Sequence, residues 1–395
     1  MLTLEDIRIL DLSRMVAGPF CSMALGDLGA EVIKIEQPGT GDDTRKWGPP
    51  FVNGESTYFL SVNRNKKSLT LDLKKEKARE IFRELVRRSD VVLENFKTGT
   101  MEKFQLGYSE LRNFRPELIY CSITGFGLSG PYKNKAGTDP VLQAMGGLMG
   151  ITGEPDGKPM RIPLAIIDMA TGLYAHGAIM AALIARGKTG QGQFIEISLL
   201  DTELTLLLNL ASSYLIAGEL PKRWGSAHPT IVPFGVFETR DRAIFLSASS
   251  DGRWRRLCEA CEMDHLADDQ RFRTTTARTE HRNEVVTLLQ EKLRHKTAEE
   301  WLSILDNAGV PCAPINTLDR VFQDPHVTAR GIVTEVDHPL TGTVKMVGIP
   351  VRYYETPGAI RLPPPRLGEH NDEILRELLG YTENAIDSLR REEVI

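Results

Sequence analysis

The opening of the chain constrains it most. "IRILDL" (7–12) and "EVIKIE" (31–36) are short apolar runs on either side of "AGPFCSMALGDLG" (17–29), a helical stretch ending at Gly29. Two strands joined through a helix run the same way and pair in parallel. A parallel sheet must be covered on both faces, which commits the following chain to supply more helices and strands. It does so. "SLTLDL" (68–73), "DVVLENF" (90–96), "ELIYCSIT" (117–124) and "QFIEISL" (193–199) read as strands. "KEKAREIFRELVRRS" (75–89) and "DTELTLLLNLASSYLIAG" (201–218) read as helices. A further strand is expected just before Asp168, and "GKTGQG" (187–192) reads as hairpin-like. The fold class is α/β, with a doubly wound large domain over 1–218.

The character changes at "ELPKRWGSAHPTIVPFG" (219–235), a Pro- and Gly-rich linker. A smaller α+β domain is expected over 226–325. It would start with a hairpin turning at Thr239–Arg242 and continue as helices near 251–263, 278–296 and 297–308. Strand-rich linkers follow at 326–356, and 357–395 closes the chain with a helical stretch.

Composition excludes several classes. A formal net charge of −5 gives no electrostatic reason to expect nucleic acid. No apolar run approaches the roughly 20 residues of a membrane span, so no membrane is expected as a partner. No leader-type pattern opens the chain, which makes the cytoplasm the expected compartment, or the mitochondrial matrix for a processed form. Five scattered cysteines make no disulfide framework. Cys258 and Cys261 have C-x-x-C spacing but no partner pair for zinc, and they read as small helix residues. "GFGLSG" (125–130) has dinucleotide-loop spacing, yet Pro131 and a loop follow it where a helix is required. "GKTGQG" lacks the first glycine of a phosphate loop, because Ala182 holds that position. Neither a nucleotide cofactor nor a metal is expected.

One carboxylate stands out in "RIPLAIIDMATGLYAHGAIMAA" (161–182). Asp168 falls where an apolar run meets a helical pattern that reaches about Arg186. Aspartate is a favoured helix cap, and a helix N-terminus stabilises its anion. The same position suits a carboxylate nucleophile.

The assembled motifs resemble the class III CoA-transferases, the formyl-CoA and carnitine CoA-transferase family. The resemblance rests on "ILDLSRMVAGPFCSMALGDLGAEVIKIEQPGTGD", "NRNKKSLTLDLK", "DVVLENFKTGTMEKFQLGY", "YCSITGFGLSGP", "IIDMATGLYAHGAIMAALIARGKTGQGQFIEISLLD" and "RLPPPRLGEHNDEIL", in family order along nearly the whole chain. It implies a Rossmann-like large domain, a small domain, a C-terminal segment returning to the large one, and two interlocked subunits in a homodimer. It implies Asp168 as the nucleophile that carries acyl and CoA in turn, with acyl-CoA and a small carboxylic acid as substrates. It places CoA against Val16, Ala17, Gln37, Leu71 to Lys74 (with Asp72 and Leu73), Asn95, Phe96, Lys97, Lys103 and the 136–139 loop (Ala136, Gly137, Thr138, Asp139).

Within the family, "GDDTRKWGPPFVNGESTYFLSVNRNKKS" and "RWGSAHP" look like the branch acting on dicarboxylates, such as the succinate–hydroxymethylglutarate (glutarate) transferase. Formyl-CoA and acetyl-CoA:oxalate transferases are the alternative. Val16 stands where formyl-CoA transferases carry glutamine, Gln37 and Lys103 each replace an arginine, and no glycine-rich loop is present. The racemases of this fold use a histidine where this chain has Thr138, and threonine is no general base near neutral pH. Arg45, Arg161, Arg223 and His228 are the candidates for a distal carboxylate, which a bidentate arginine suits. "NRNKK" (63–67) reads either as a contact for CoA phosphates or as a solvated loop.

Overall fold

Six parallel strands form the central sheet of the structure, a computed structural model describing residues 1–395. They are β1 (Arg8–Asp11), β2 (Glu31–Glu36), β3 (Lys66–Thr70), β4 (Val91–Glu94), β5 (Ile119–Thr124) and β6 (Phe194–Ser198), in the order β3-β2-β1-β4-β5-β6. Successive strand residues face opposite sides, and both sides are buried. Ile9, Val32, Val91 and Ile119 join one core with helices α1 (Ala17–Asp27) and α4 (Ile166–Thr189). Leu10, Ile33, Val92 and Tyr120 join the other, with α2 (Glu76–Val86) and α10 (Glu383–Arg391). The first part of the chain also forms α3 (Asp139–Met145), α5 (Leu199–Leu206) and α6 (Leu208–Ala217). Gly172 lets α4 approach α1 closely, because a Cβ there would stand 2.6 Å from the carbonyl oxygen of Ala17.

Several sequence expectations change. No strand precedes Asp168; residues 152–165 are irregular, and α4 begins at Ile166 with Asp168 in its first turn. "GKTGQG" is not a hairpin. It ends α4 at Gly190, whose left-handed backbone (φ 69°) stops the helix, and β6 then joins β5 in parallel. The helix read over 201–218 is two, α5 and α6, bent by 81° at Leu208, where φ is +41°. α4 is 24 residues long, long and apolar enough to cross a membrane by length and composition. Its Ile167, Ala175, Ile179 and Ala182 are buried in the core beside α1.

The chain divides into two compact units. The first holds Met1–Leu148, Arg161–Ala217 and Thr328–Ile395; the second holds Met149–Met160 and Gly218–Val327. In the second, β7 (Phe234–Glu238), β8 (Ala243–Ser247) and β9 (Cys312–Pro314) make an antiparallel sheet in the order β9-β8-β7. Helices α7 (Asp251–Ala260), α8 (Arg282–Leu293) and α9 (Ala298–Asn307) pack on it around Trp254, Leu289 and Trp301. Cys258 and Cys261 are free and buried in that core, and burial pushes both thiols up to about 12.

In the first unit β10 (Val333–His338) and β11 (Gly342–Val347) form a hairpin. The last forty residues are woven into its core. The Asn65 N–H donates to Leu362 O, His370 N–H to Ser68 O, and Leu375, Ile386 and Val394 are buried against the sheet.

Candidate active site

β1 and β4 lie side by side, and the chain leaves them toward opposite edges of the sheet. In such sheets the crevice at the strands' carboxyl ends is where ligands bind. A cavity of about 380 Å³ lies there. Among the residues expected against CoA, Gln37, Leu71, Leu73, Lys74, Phe96 and Lys97 line it. Arg14 and Thr100 line it as well, without having been singled out from sequence.

The other expected contacts are used differently. Val16 and Ala17 are buried at the start of α1. The Asp72 carboxylate accepts the Lys74 N–H. Asn95 is spent on the backbone of Arg14, accepting its N–H at 2.9 Å and donating to its carbonyl at 2.8 Å. That pair ties the loop after β1 to the loop after β4. Lys103 is exposed on the short helix Thr100–Lys103 and does not line the cavity. Ala136 to Thr138 form the loop before α3, and Gly137 is pressed so close to Gly125 that a Cβ on either would meet the other's Cα at 2.8 Å.

The floor of the crevice is an array of buried charges. Lys34 Nζ sits 2.9 Å from Asp42 and donates to Ser13 O at 2.8 Å. Lys66 Nζ reaches Asp11 at 3.1 Å, Asn63 Oδ1 at 2.9 Å and Pro19 O at 2.9 Å. Burial opposes charge on Asp42, yet Lys34 and the Thr44 hydrogen bonds hold its carboxyl down at about 2. Burial wins at Lys66 and lowers its ammonium to about 8.

"NRNKK" is therefore neither a solvated loop nor a phosphate contact. Asn63 to Lys66 are buried, and Arg64 makes a two-pronged pair with Asp27. Arg45 is likewise committed. It grips Glu36 through two hydrogen bonds of 2.8 and 2.7 Å and lies 3.7 Å over the Phe59 ring, so its guanidinium is not available to a substrate carboxylate. The charges at alternate positions of "EVIKIE" were the signal in the sequence. Lys34 and Glu36 share one strand face and face this network.

Asp168 occupies the third position of α4. The helix starts after Ala165, which has no capping side chain. Asp139, the first residue of α3, supplies the cap from outside. Its Oδ2 accepts the N–H of Ile167 at 2.8 Å and of Asp168 at 3.3 Å, and its Oδ1 accepts from Gln143 Nε2 at 2.6 Å. Asp168 is thus relieved of capping, and its carboxyl is left for chemistry. The expectation that it sits comfortably as an anion changes. Burial, and then the charge of Asp139, push it up to about 7.

Tyr58, on the short helix Thr57–Ser61 capped by Ser56, shares this neighbourhood. Burial raises its phenol, the charges of Asp168 and Asp139 raise it further, and Arg161 opposes them. Its ring meets Trp47 edge-on at 5.1 Å. Arg161 is the one sequence-derived distal-carboxylate candidate whose charge acts on Tyr58. Arg223 and His228 belong to the second unit, where Arg223 donates to the carbonyls of Gly150, Glu154 and Gly157. His228 Nδ1 accepts the Thr230 N–H.

A carboxylate with raised basicity in the first turn of a helix, and a crevice lined by Arg14, Lys74 and Lys97 that suits a phosphate-bearing ligand, are the chemistry the fold offers. Comparison with known proteins gives the family. The profile of CoA-transferase family III matches residues 4–371. A succinyl-CoA:glutarate CoA-transferase of Mus musculus is 46% identical over 98% of this chain and 89% of its own length. A succinate–glutarate CoA-transferase of Agrobacterium fabrum is 42% identical over 95% of each chain. The crystal structure of a CAIB/BAIF family protein from Brucella suis superposes with a TM-score of 0.86 at 42% identity, covering 95% of this chain and 99% of that one. The chain belongs to CoA-transferase family III and is an enzyme of that class.

Proposed function

We propose that the protein moves CoA from succinyl-CoA to a dicarboxylic acid of the glutarate type, with Asp168 as the nucleophile. The observation that carries the mechanism is the Asp139 cap, which leaves the Asp168 carboxyl without a structural duty. The substrates are supported by the names of the relatives, among which succinyl-CoA donors and dicarboxylate acceptors recur.

An Asp168 oxygen attacks the thioester carbon, the C–S bond breaks, and an acyl-aspartyl anhydride and CoA thiolate result. The thiolate attacks the aspartyl carbon and expels succinate, leaving an aspartyl-CoA thioester. The acceptor carboxylate attacks that thioester, releasing thiolate and forming a second anhydride. The thiolate then takes the acceptor acyl group and frees Asp168. No proton is consumed, and the thioester energy is retained, so no ATP is needed.

CoA lies in the crevice at the ends of β1 and β4, with Lys74 and Lys97 toward its phosphates. Arg161 receives the distal carboxylate. The working form is an interlocked homodimer located in the cytoplasm. The dimer is supported by Leu208, Leu215 and Ile216 of α6, which are 71%, 80% and 85% exposed in the single chain.

The test is an acceptor panel. The protein is incubated with succinyl-CoA and glutarate, hydroxymethylglutarate, oxalate, mesaconate or carnitine, and new CoA esters are followed by mass spectrometry. Glutaryl- or hydroxymethylglutaryl-CoA is expected. Transfer to oxalate alone overturns the substrate reading, and transfer to none overturns the reaction.

A further inference from the structure

Glu94 ends β4 at the crevice, and the reaction above does not use it. It is 5% exposed, and no cation is paired with it. Its Oε2 accepts the N–H of Phe96 at 2.7 Å, and Ser122 of β5 hydrogen-bonds its side chain. This turns the chain at the point where Phe96 and Lys97 enter the cavity wall. Asn95, between Glu94 and Phe96, is locked to the Arg14 backbone. Glu94 and Asn95 therefore brace the loop from beneath, while the next two residues face the ligand. A second small cavity, of about 20 Å³, lies between Glu94, Tyr120, Ser122 and the 97–102 loop, room for about one water.

We propose that Glu94 is the positioning residue of the CoA crevice: its buried carboxyl sets the Phe96–Lys97 turn, and CoA binds more tightly when that carboxyl carries its proton. This rests on the crevice being the CoA site. The charge argument is geometric. The titratable groups around Glu94 are Glu102 on the short helix, Tyr120 and Cys121 on β5, and Lys97 on its own loop. The nearest like charge, Glu102, disfavours its anion, and no ion pair compensates it. A bound polyanion on the other side of the same turn adds to that cost, so ligand and proton favour each other by linkage. Burial, opposed by the Ser122 and Phe96 hydrogen bonds, already lifts the carboxyl to about 7, which puts the coupling in the physiological range.

The experiment is calorimetric titration of the full-length protein with CoA between pH 5.5 and 8.5. Wild type should bind several-fold more weakly above pH 7 than below pH 6. E94A loses the acceptor for the Phe96 N–H and should bind about tenfold more weakly throughout, the size of one buried hydrogen bond. E94Q keeps an acceptor but cannot titrate, so its Kd should lose less than that of E94A and should not change across pH 7. K97A is the control for the crevice. If K97A weakens binding while E94A does not, or if E94Q keeps the wild-type inflection, the role of Glu94 is overturned and the crevice stands. If neither K97A nor E94A weakens binding, the crevice assignment falls and takes the proposal with it.

Discussion

Asp139 caps the helix on which Asp168 sits, accepting the Asp168 N–H at 3.3 Å, and its charge raises the basicity of the carboxyl it supports. One residue thus fixes the helix start that carries Asp168 and tunes its carboxyl. The pH dependence follows. With Asp168 as the proposed nucleophile, transfer needs its anion, so kcat/KM should fall about tenfold per unit as pH drops below 7. D139N keeps an acceptor but removes the charge, and it should move the acid limb down by up to about one unit. A pH–rate series on both proteins checks this; an unmoved limb would dissociate Asp139 from the titration.

Removal of the nucleophile itself should be near-total. D168N and D168A should each lose at least about a thousandfold in transfer rate. Hydroxylamine added during turnover should mark the peptide containing Asp168 in wild type and leave it unmarked in D168A. Peptide mass spectrometry reads this, and a mark elsewhere would name a different nucleophile.

Arg161 should act on the distal carboxylate. R161A is expected to raise KM for both succinyl-CoA and the dicarboxylic acceptor by about tenfold, since both carry that group. R45A should instead unfold more easily, because it leaves Glu36 buried beneath an empty position. Steady-state kinetics and denaturant titration separate the two arginines.

Glu203 shows the stability side of a raised carboxyl. It is fully buried on α5 and accepts the Leu148 N–H at 3.2 Å, and burial with the charge of Asp139 lifts it to about 7. A carboxyl raised in the folded state binds more protons there than when unfolded. It costs nothing below its unfolded value, costs more as pH climbs from about 4.5 to 7, and costs its full amount above 7. E203Q should therefore stabilise the protein at pH 8, by about 1–2 kcal/mol, and not at pH 4.5. G146A should do the reverse by crowding, because its Cβ would fall 2.1 Å from Glu203 Oε2; about 1–3 kcal/mol is expected. Denaturant melts at both pH values decide.

The ion array under the crevice should be unforgiving. K34M leaves Asp42 buried without its cation, and Asp11 with Lys66 alone, and should cost about 3–5 kcal/mol. Pairing it with D42N should recover part of that loss, and failure to recover any would mean that the two are not coupled.

The sequence alone determined the parallel α/β sheet, because short, mostly apolar strands alternating with helices pair in parallel. It also placed Asp168 at a helix start and marked Phe96, Lys97 and Lys74 by resemblance. It missed the first-turn position of Asp168, since the apolar run before the helix looks like a strand when its partners are unknown. Only the tertiary structure decided what each charge does. Asp139 is 29 residues from Asp168, and Lys66 is 55 from Asp11, so their pairing leaves no local pattern. Arg45 and Arg161 are the same residue type, and pairing with buried Glu36 or exposure to solvent separates them. The capping duty was decided in the same way: a carboxylate from another helix, Asp139, took the hydrogen bonds that Asp168 was placed to make.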